Sequence, residues 1–396
     1  MTSSNPRDLR SLLVHRALGD LQAQTPSVPA GISMADGWPD PRYFPIEELL
    51  AAAERVLRRE GGAALQYGRT SAAADLREVI AAKVRREDHR DIALENITVT
   101  GGSHQALGLL FSAFLEPGDA LLLEAPSYSG AFRLCKIEGL QPVGIPVDES
   151  GMCVDELEAR LPQLRRDGRL PRLLYTIPTF HNPTGTELSL ERRKQLVYLA
   201  AKWGFAVIED ETYRDLRYDG EPVPSLFSLD KAGMVIKLGT FSKTIVPGVR
   251  LGWVVGDNQV IAAIGALRTD LGISPWLAQT VAEYASGGVL EQRIRRLNTI
   301  YREKRDGIVT ALAERCPPTL KWQAPRGGFF VWCQLPTGLD SEQVAARSQQ
   351  QGLRFYTGPV HFPDGLGHEY IRLSFGTVTQ DEIARGVAIL ANVLSE

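Results

Sequence analysis

Short apolar runs alternate with stretches of helical periodicity over residues 46–287, and this alternation constrains the fold more than any other feature. The runs are ITVT (97–100), ALLLE (120–124), RLLYTI (172–177), FAVIE (205–209) and MVIKL (234–238). Continuous apolar runs of this length, separated by helices, are typical of parallel strands that helices cover on both faces. The pattern therefore predicts an α/β fold.

The sequence after residue 290 has a different pattern, which predicts a smaller α+β unit. Its segments are a long charged amphipathic helix (291–316), a strand GGFFVWCQL (327–335), a helix (341–351), a strand YIRLSF (370–375) and a closing helix from Thr379. Residues 24–45 are dense in Pro and Gly, which predicts an irregular arm. We therefore expect an arm over residues 1–45 that packs on a small domain over 288–396, and a large domain over 46–287.

Each apolar run of the large domain is followed by a polar or aromatic cluster. The clusters are GGSHQ (101–105), APSYSG (125–130), PTFHNPTG (178–185), DETYRD (210–215) and GTFSK (239–243). Ligands of open parallel sheets bind outside the carboxyl ends of the strands. The five clusters therefore predict a single site at that edge.

Several of these residues are suited to an anion. Ser103 begins a predicted helix, where free N–H groups and the helix dipole favour a phosphate. Thr240 and Ser242 add hydroxyls, and Arg250 adds a guanidinium fork. Ser103 alone would be an ordinary helix cap. The sequence contains neither GxGxxG nor GxxxxGK[ST], so the common nucleotide motifs do not explain the cluster.

Lys243 and Asp210 indicate the chemistry of the site. A lysine in an apolar pocket beside an arginine becomes a neutral, nucleophilic amine, which forms Schiff bases with aldehydes. A phosphate site beside such a lysine points to pyridoxal phosphate, whose ring nitrogen needs a carboxylate partner. Asp210, at the end of FAVIED, supplies that carboxylate. Asn182 and Tyr213 can donate to the phenolic oxygen of the ring, and Tyr128 can stack on its face.

The composition excludes several other classes of protein. A formal net charge of -3 over 396 residues is too small to favour nucleic acid or a membrane surface as partner. Four widely spaced cysteines form no CxxC pair, so we expect neither a metal site nor a disulfide framework. The sequence has no apolar signal segment and no stretch approaching 18 uncharged apolar residues, so we expect a cytoplasmic protein.

Together these motifs resemble those of fold-type I pyridoxal-phosphate enzymes of the class I and II aminotransferase family, in particular the branch of 2-aminoadipate and kynurenine aminotransferases. The likeness extends from DGWPDPRYFP (36–45) to YIRLSFGT (370–377). Its most specific part is GTFSKTIVPGVRLGW (239–253), with Thr240 where a serine is usual. The resemblance implies a large domain with a mostly parallel seven-stranded sheet covered by helices, and a smaller α+β domain.

The resemblance also implies a role for each matching residue. Lys243 matches the cofactor-binding lysine and general base, Asp210 the partner of the ring nitrogen, Asn182 and Tyr213 the donors to the phenolic oxygen, and Tyr128 the stacking ring. The phosphate-binding positions correspond to Ser103, His104, Thr240, Ser242 and Arg250. Tyr67 matches a tyrosine that reaches the phosphate of the neighbouring subunit, which implies a homodimer. Arg372 matches the arginine that binds the substrate α-carboxylate, next to Asn182, Asp36, Gly37 and Trp38.

Some residues depart from the family pattern and affect the expected substrate. Asp36 places a carboxylate near the substrate, Trp38 adds bulk, and the arm lacks a clear match for the arginine that grips a side-chain carboxylate. These features favour an L-amino acid with a neutral, aromatic or basic side chain over 2-aminoadipate. His104 and His181 each stand where a glutamine is usual. Asp36 facing solvent is an alternative interpretation.

Three functions are compatible with these motifs. The first is transamination between an amino acid and a 2-oxo acid, in amino-acid metabolism or biosynthesis. The second is another reaction on the same cofactor, namely β- or γ-elimination, oxidation or carbon–carbon bond formation. The third is a transcription regulator with an aminotransferase-like domain, which we do not expect because fewer than 100 residues precede ITVT.

Overall fold

The computed structural model describes residues 31–67, 74–270 and 272–395, so the first thirty residues of the predicted arm lie outside the described part. The described residues form fourteen β-strands and twelve α-helices, numbered in chain order. The strands are β1 (Ile32–Ser33), β2 (Ile97–Thr100), β3 (Ala120–Ala125), β4 (Gln141–Asp148), β5 (Gly151–Met152), β6 (Leu173–Thr176), β7 (Ala206–Asp210), β8 (Val235–Thr240), β9 (Gly252–Val255), β10 (Lys321–Trp322), β11 (Phe330–Gln334), β12 (Leu353–Arg354), β13 (Tyr356–Thr357) and β14 (Tyr370–Ser374).

The helices lie between these strands and at the end of the chain. They are α1 (Ile46–Glu60), α2 (Ala74–Asp88), α3 (Ser103–Phe114), α4 (Ser129–Glu138), α5 (Val154–Arg166), α6 (Leu190–Trp203), α7 (Leu226–Leu229), α8 (Asn258–Ala266), α9 (Pro275–Ala285), α10 (Val289–Arg315), α11 (Ser341–Gln350) and α12 (Gln380–Ser395). Among the described residues, no helix is both long and apolar enough to cross a membrane.

The large sheet has the strand order β2-β9-β8-β7-β6-β3-β4-β5. Its central neighbours from β8 to β4 are parallel, while β9 runs antiparallel to both β8 and β2. The α/β fold predicted from the apolar runs is confirmed. The described sheet has eight strands rather than seven, because the two-residue β5 pairs antiparallel with the end of β4.

The strand order creates a crevice at the carboxyl edge of this sheet. From β3 the chain proceeds to β4 on one side, and it then returns to β6 on the other side of β3. The loops that follow β3 and β6 therefore diverge, and such a reversal of strand order opens a ligand-binding crevice. All residues of β6 and β8 are buried, because helices cover both faces of the sheet.

A second, antiparallel sheet has the order β10-β11-β14-β13. The helices α10, of 27 residues, and α12 pack against each other and contribute to its core. The described part of the arm adjoins this sheet, since Ser374 N on β14 donates to Met34 O at 2.7 Å. Nearby in the chain, β1 pairs with β12 in a separate two-stranded sheet. Arg372, also on β14, lies at the carboxyl edge of the large sheet, where it donates a hydrogen bond to Asn182.

Candidate active site

A cavity of about 190 Å³ lies at the carboxyl ends of the large-sheet strands. It is lined by Trp38, Ser103, His104, Tyr128, Ile177, Asn182, Asp210, Thr212, Tyr213, Thr240, Ser242, Lys243, Pro247 and Arg250. The five polar clusters that follow the apolar runs each contribute at least one residue. The sheet therefore brings together the side chains that the sequence placed at separate strand ends.

Lys243 lies in the turn after β8, at the base of the cavity. Burial lowers the pKa of its ammonium to about 8, and the positive charges of Arg250 and Arg372 act in the same direction, whereas Asp210 opposes them. Its Nζ donates a hydrogen bond to Gly37 O at 2.9 Å. A lysine with this pKa is partly neutral near pH 7, so its amine can act as nucleophile and as base.

Asp210 ends β7 and is buried with three hydrogen bonds to its carboxylate. Tyr175 Oη donates to Oδ2 at 2.9 Å, and Thr212 donates to Oδ1 from its backbone N at 3.0 Å and from its hydroxyl at 2.6 Å. Burial raises the pKa of Asp210, and the donors from Thr212 and Tyr175 oppose that rise. A buried carboxylate at this edge suits a cationic ring nitrogen, because an unpaired buried charge is costly.

The start of α3 forms one wall of the cavity, and glycines leave its backbone accessible. Gly102 precedes Ser103 with φ of 101°, a conformation that residues with a Cβ rarely adopt. A Cβ at Gly252 would lie 2.7 Å from Ser103 N, so only glycine allows β9 to pass this close. Arg250 approaches from the same side, with its Nη2 3.2 Å from Gly101 O.

Hydroxyls and an imidazole complete this wall. The hydroxyl oxygens of Thr240 and Ser242 lie 2.9 Å apart, and both residues line the cavity. His104 Nδ1 is buried and has no hydrogen-bond partner among the described atoms. Burial lowers the pKa of His104, as do the charges of Arg133 and Arg250, which favours the neutral imidazole. A helix start, two hydroxyls and a guanidinium form a donor set that fits a phosphate.

Arg372 reaches the edge of the site from β14. Its guanidinium packs over the rings of Phe330 at 4.3 Å and Tyr356 at 4.8 Å. Its Nη1 donates to Asn182 Oδ1 at 2.8 Å and its Nη2 to Ala35 O at 2.5 Å, whereas its buried Nε has no partner in the described part of the chain. Burial lowers its pKa to about 10, so the group remains cationic at neutral pH.

Four of the residues predicted for the site do not line the cavity itself. Arg372 is joined to it through Asn182, and Gly37 through its bond to Lys243. Asp36 is half-buried between Ala35 and Gly37, and its charge opposes the lowering of the Arg372 pKa. Tyr67 is 83% exposed and lies apart from the cavity of its own chain.

His181 faces away from the cavity, although it precedes Asn182. It is 2% exposed, its Nε2 lies 3.2 Å from Glu124 Oε2, and its Nδ1 lies 2.8 Å from Thr184 Oγ1. Glu124 is buried too and accepts from Ile177 N at 3.0 Å. His181 therefore supports the loop that carries Asn182 from behind.

Four residues near Asp210 and Lys243 were not predicted from the sequence. Ile177, Thr212 and Pro247 line the cavity, and Tyr175 bonds Asp210 from below. Thr212 could have been identified from the sequence, because an Asp carboxylate commonly accepts a hydrogen bond from the residue two positions later in an Asx-turn. Tyr175 carried no such signal, since it lies within the apolar run of β6.

Comparisons with known proteins agree with this geometry. The profile of the family described as aminotransferase class I and II matches residues 38–390. Aromatic-amino-acid aminotransferase 1 of Thermococcus litoralis is 36% identical over 92% of this chain and 88% of its own length. The 2-aminoadipate transaminase of Thermus thermophilus is 36% identical over 92% of this chain and 90% of its own.

A solved structure shares the whole fold as well. Pyrococcus horikoshii kynurenine aminotransferase, crystallised in complex with PMP, has a TM-score of 0.91, 34% identity and 98% coverage of both chains. The fold, the cavity and these relatives lead to one conclusion: the chain belongs to the class I and II aminotransferase family, and it is a pyridoxal-phosphate-dependent transferase that transaminates amino acids.

Proposed function

We propose that this enzyme moves the α-amino group of an L-amino acid with a neutral, aromatic or basic side chain to a 2-oxo acid, with Lys243 as the catalytic base. One observation supports this most strongly. A lysine with a lowered pKa and a buried aspartate line the same small cavity as a donor set that fits phosphate.

We assign the remaining roles as the family pattern implies. The phosphate is bound by Ser103, His104, Thr240, Ser242 and Arg250, the ring by Tyr128, Asp210, Asn182 and Tyr213, and the substrate by Arg372, Asn182, Asp36, Gly37 and Trp38. Bound pyridoxal phosphate supplies an electron sink for the bond that is broken at the substrate Cα. Asn182 and Tyr213, which line the cavity from different loops, would hold the phenolic oxygen and keep the ring in place.

Lys243 and Arg372 act together on the substrate. The guanidinium fork of Arg372 binds both oxygens of the α-carboxylate, which fixes the direction of the Cα–H bond relative to Lys243. Lys243 Nζ accepts the Cα proton, because part of its population is neutral near pH 7, and then holds that proton as an ammonium for return. We expect the carboxylate to take the place of Ala35 O, which accepts from Arg372 Nη2 in the structure.

The charge of Asp36 supports the proposed substrate class. Its half-buried carboxylate adjoins the residues whose carbonyls contact Arg372 and Lys243. An acidic side chain placed here would be repelled, whereas a basic one would be attracted. Trp38, which lines the cavity although it is 61% exposed, offers a flat apolar surface to an aromatic side chain.

A homodimer is part of the same proposal. The high exposure of Tyr67, away from its own cavity, supports a role at the phosphate of a neighbouring subunit. Mixed dimers of Lys243→Ala and Tyr67→Ala chains test this role, because one of their two sites would contain both native residues. Regained activity on mixing is the expected result, and no regain in dimers shown to be mixed contradicts it.

We also propose that the chain divides into an arm (1–45), a large domain (46–287) and a small domain (288–396). The pairing of β1 with β12 and the hydrogen bond from Ser374 N to Met34 O, 2.7 Å long, support the attachment of the arm to the small domain. A cytoplasmic location and a biosynthetic role remain predictions from the sequence.

The first experiment is a spectral titration of the purified enzyme with pyridoxal phosphate bound. Single amino acids are added without any 2-oxo acid, and the visible absorbance of the cofactor and the products are measured. We expect the absorbance to fall as one equivalent of 2-oxo acid and one of pyridoxamine phosphate appear. Continued consumption of amino acid without pyridoxamine phosphate would contradict transamination, and absence of any visible band would contradict the role of Lys243.

A further inference from the structure

Tyr175 is the third residue of β6, in the middle of the large sheet. Its register partners are Leu123 on β3 and Ile208 on β7, and its side chain is fully buried. The ring packs edge-on against Phe111 of α3, with centroids 6.4 Å apart and planes at 84°. Tyr175 therefore lies beneath the cavity and contributes nothing to its lining.

The hydroxyl of Tyr175 is directed at the carboxylate of Asp210. The Oη donates to Oδ2 at 2.9 Å, while Thr212 donates to the other oxygen, Oδ1, from its own turn. Each carboxylate oxygen is thus held by a donor from a different element. Burial raises the pKa of the phenol well above its ordinary value, and the neighbouring Asp210 raises it further. The proton of this hydrogen bond consequently stays on Tyr175.

The environment of Asp210 explains why such a donor matters. Burial disfavours the ionised carboxylate and so raises its pKa, whereas hydrogen bonds donated to the carboxylate favour the ionised form and lower its pKa. The other charged and titratable groups that interact with Asp210 are Glu211, Lys243, Tyr128 and Tyr213. Glu211 is acidic and raises the Asp210 pKa, whereas the cation Lys243 also belongs to the catalytic machinery. A neutral donor such as Tyr175 stabilises the anion without adding charge to the site.

We propose that Tyr175 is a positioning residue that keeps Asp210 ionised and oriented toward the ring nitrogen of bound pyridoxal phosphate. The inference rests on the proposed role of Asp210. A carboxylate that becomes neutral cannot pair with a protonated nitrogen, and a carboxylate held at one oxygen can rotate. Tyr175 acts through Asp210 and does not touch the substrate.

Tyr175→Phe removes one oxygen atom and retains the ring that packs on Phe111. We expect pyridoxal phosphate to bind about tenfold more weakly, since a hydrogen bond to a charged group is lost. We also expect the pH midpoint of the visible band of the lysine-bound cofactor to rise by about one unit, a tenfold change in proton affinity. The midpoint rises because a less protonated ring nitrogen leaves the nitrogen of Lys243 more basic.

Tyr218→Phe is the matched control. Tyr218 is equally buried, and its hydroxyl donates to Gly328 O outside the cavity. This variant also loses a buried phenol hydrogen bond, but one to an uncharged acceptor, so it reports the general cost of such a loss. Its midpoint and its affinity for pyridoxal phosphate should remain those of the unaltered enzyme.

A second pair of variants separates positioning from simple stability. In an Asp210→Asn background, saturated with pyridoxal phosphate, Tyr175→Phe should cause no further shift of the midpoint, because the charge on which Tyr175 acts is gone. An unchanged midpoint in Tyr175→Phe, an equal shift in both backgrounds, or failure of Tyr175→Phe to fold would each overturn the inference. An Asp210→Asn enzyme with unaltered cofactor affinity would instead contradict the proposed role of Asp210 itself.

Discussion

Replacing Arg372 by lysine tests whether the substrate is held by a fork or only by a charge. Arg372 spans two acceptors in the structure, since Nη1 donates to Asn182 at 2.8 Å and Nη2 to Ala35 O at 2.5 Å. Its plane is fixed between the rings of Phe330 and Tyr356. A guanidinium can offer two parallel N–H donors, which match the two oxygens of a carboxylate.

The magnitude follows from the number of hydrogen bonds lost. A lysine retains the positive charge but offers a point charge in place of the fork, so one of the two charge-assisted bonds is lost. Such a bond contributes about 2 kcal/mol, which corresponds to an increase of about 30-fold in the KM for the amino acid. The affinity for pyridoxal phosphate should change by less than about threefold, which corresponds to about 0.7 kcal/mol, because Arg372 does not itself line the cavity.

Steady-state kinetics and a cofactor titration measure both quantities on the same preparation. Arg305→Lys is a suitable control, because Arg305 is also buried and donates to Pro325 O at 2.6 Å, but it lies outside the cavity. A primary amine without a carboxylate should react equally slowly with the altered and unaltered enzymes. An unchanged KM for the amino acid, or an equal loss of cofactor affinity, would refute the assignment of Arg372.

Four further outcomes follow from the same geometry. Lys243→Ala should abolish both the visible band of bound cofactor and turnover, and a substantially active variant would contradict the catalytic role. Capture of pyridoxal phosphate by the cofactor-free enzyme, followed by stopped-flow absorbance, should speed up with rising pH, reach half of its maximal rate near pH 8 and level off only above that pH, because the amine of Lys243 has a pKa of about 8 and reacts only when neutral. A rate independent of pH between 6 and 8 would oppose this. Gly252→Ala should weaken cofactor binding at least about tenfold, a loss of about 1.4 kcal/mol, because the added Cβ would lie 2.7 Å from Ser103 N. Calorimetric titration with pyridoxal phosphate measures this affinity, and an unaltered affinity would show that the backbone can move aside. Lys237→Met should lower the free energy of unfolding, measured by urea denaturation, by about 3 kcal/mol. The reason is that the buried carboxylate of Asp88, which lies 2.5 Å from Lys237 Nζ, loses its nearest cation. A loss below about 1 kcal/mol would mean that the remaining donors stabilise the Asp88 carboxylate without Lys237.

The sequence predicted most of the strands of the large sheet, because five of them coincide with short, mostly apolar runs. The run MVIKL, for example, corresponds to β8 at Val235–Thr240. Three strands were not predicted, one of which is the two-residue β5. The strand β4 contains Pro142 and Pro146, and prolines normally indicate an edge strand or a loop. The sheet tolerates these two prolines because β4 has only the two-residue β5 on its outer side. The strand β9, GWVV, is short, and it begins at the end of the motif GTFSKTIVPGVRLGW (239–253), in which Thr240, Ser242 and Arg250 were predicted to bind the phosphate.

The candidate site was largely predictable for a different reason. Side chains that follow parallel strands meet at one edge, so residues far apart in sequence could be grouped before any coordinates were known. Tyr175 could not be predicted in this way, because a strand that is buried on both faces gives no periodic signal to show which face a residue occupies. The proposed role of Tyr67 would involve a second subunit, so the structure of one chain does not test it.

Three consecutive acidic residues at the end of β7 show how strand geometry assigns function. In Glu209-Asp210-Glu211 the side chains alternate between the faces of the sheet. Glu209 accepts from the first N–H groups of α7, at 2.6 and 2.9 Å. Burial raises the pKa of Glu211, but the charges of Arg214 and of Lys237 outweigh it, and the pKa is lowered overall. The carboxylates of Glu209 and Glu211 therefore stabilise the fold on the face of the sheet opposite the cavity.

Of the three acidic residues, only Asp210 lies on the cavity side, where Tyr175 and Thr212 donate hydrogen bonds to its carboxylate without neutralising its charge. A shift of one residue in this strand would exchange the roles, so the register of β7 determines which of three similar carboxylates can pair with a cationic ring.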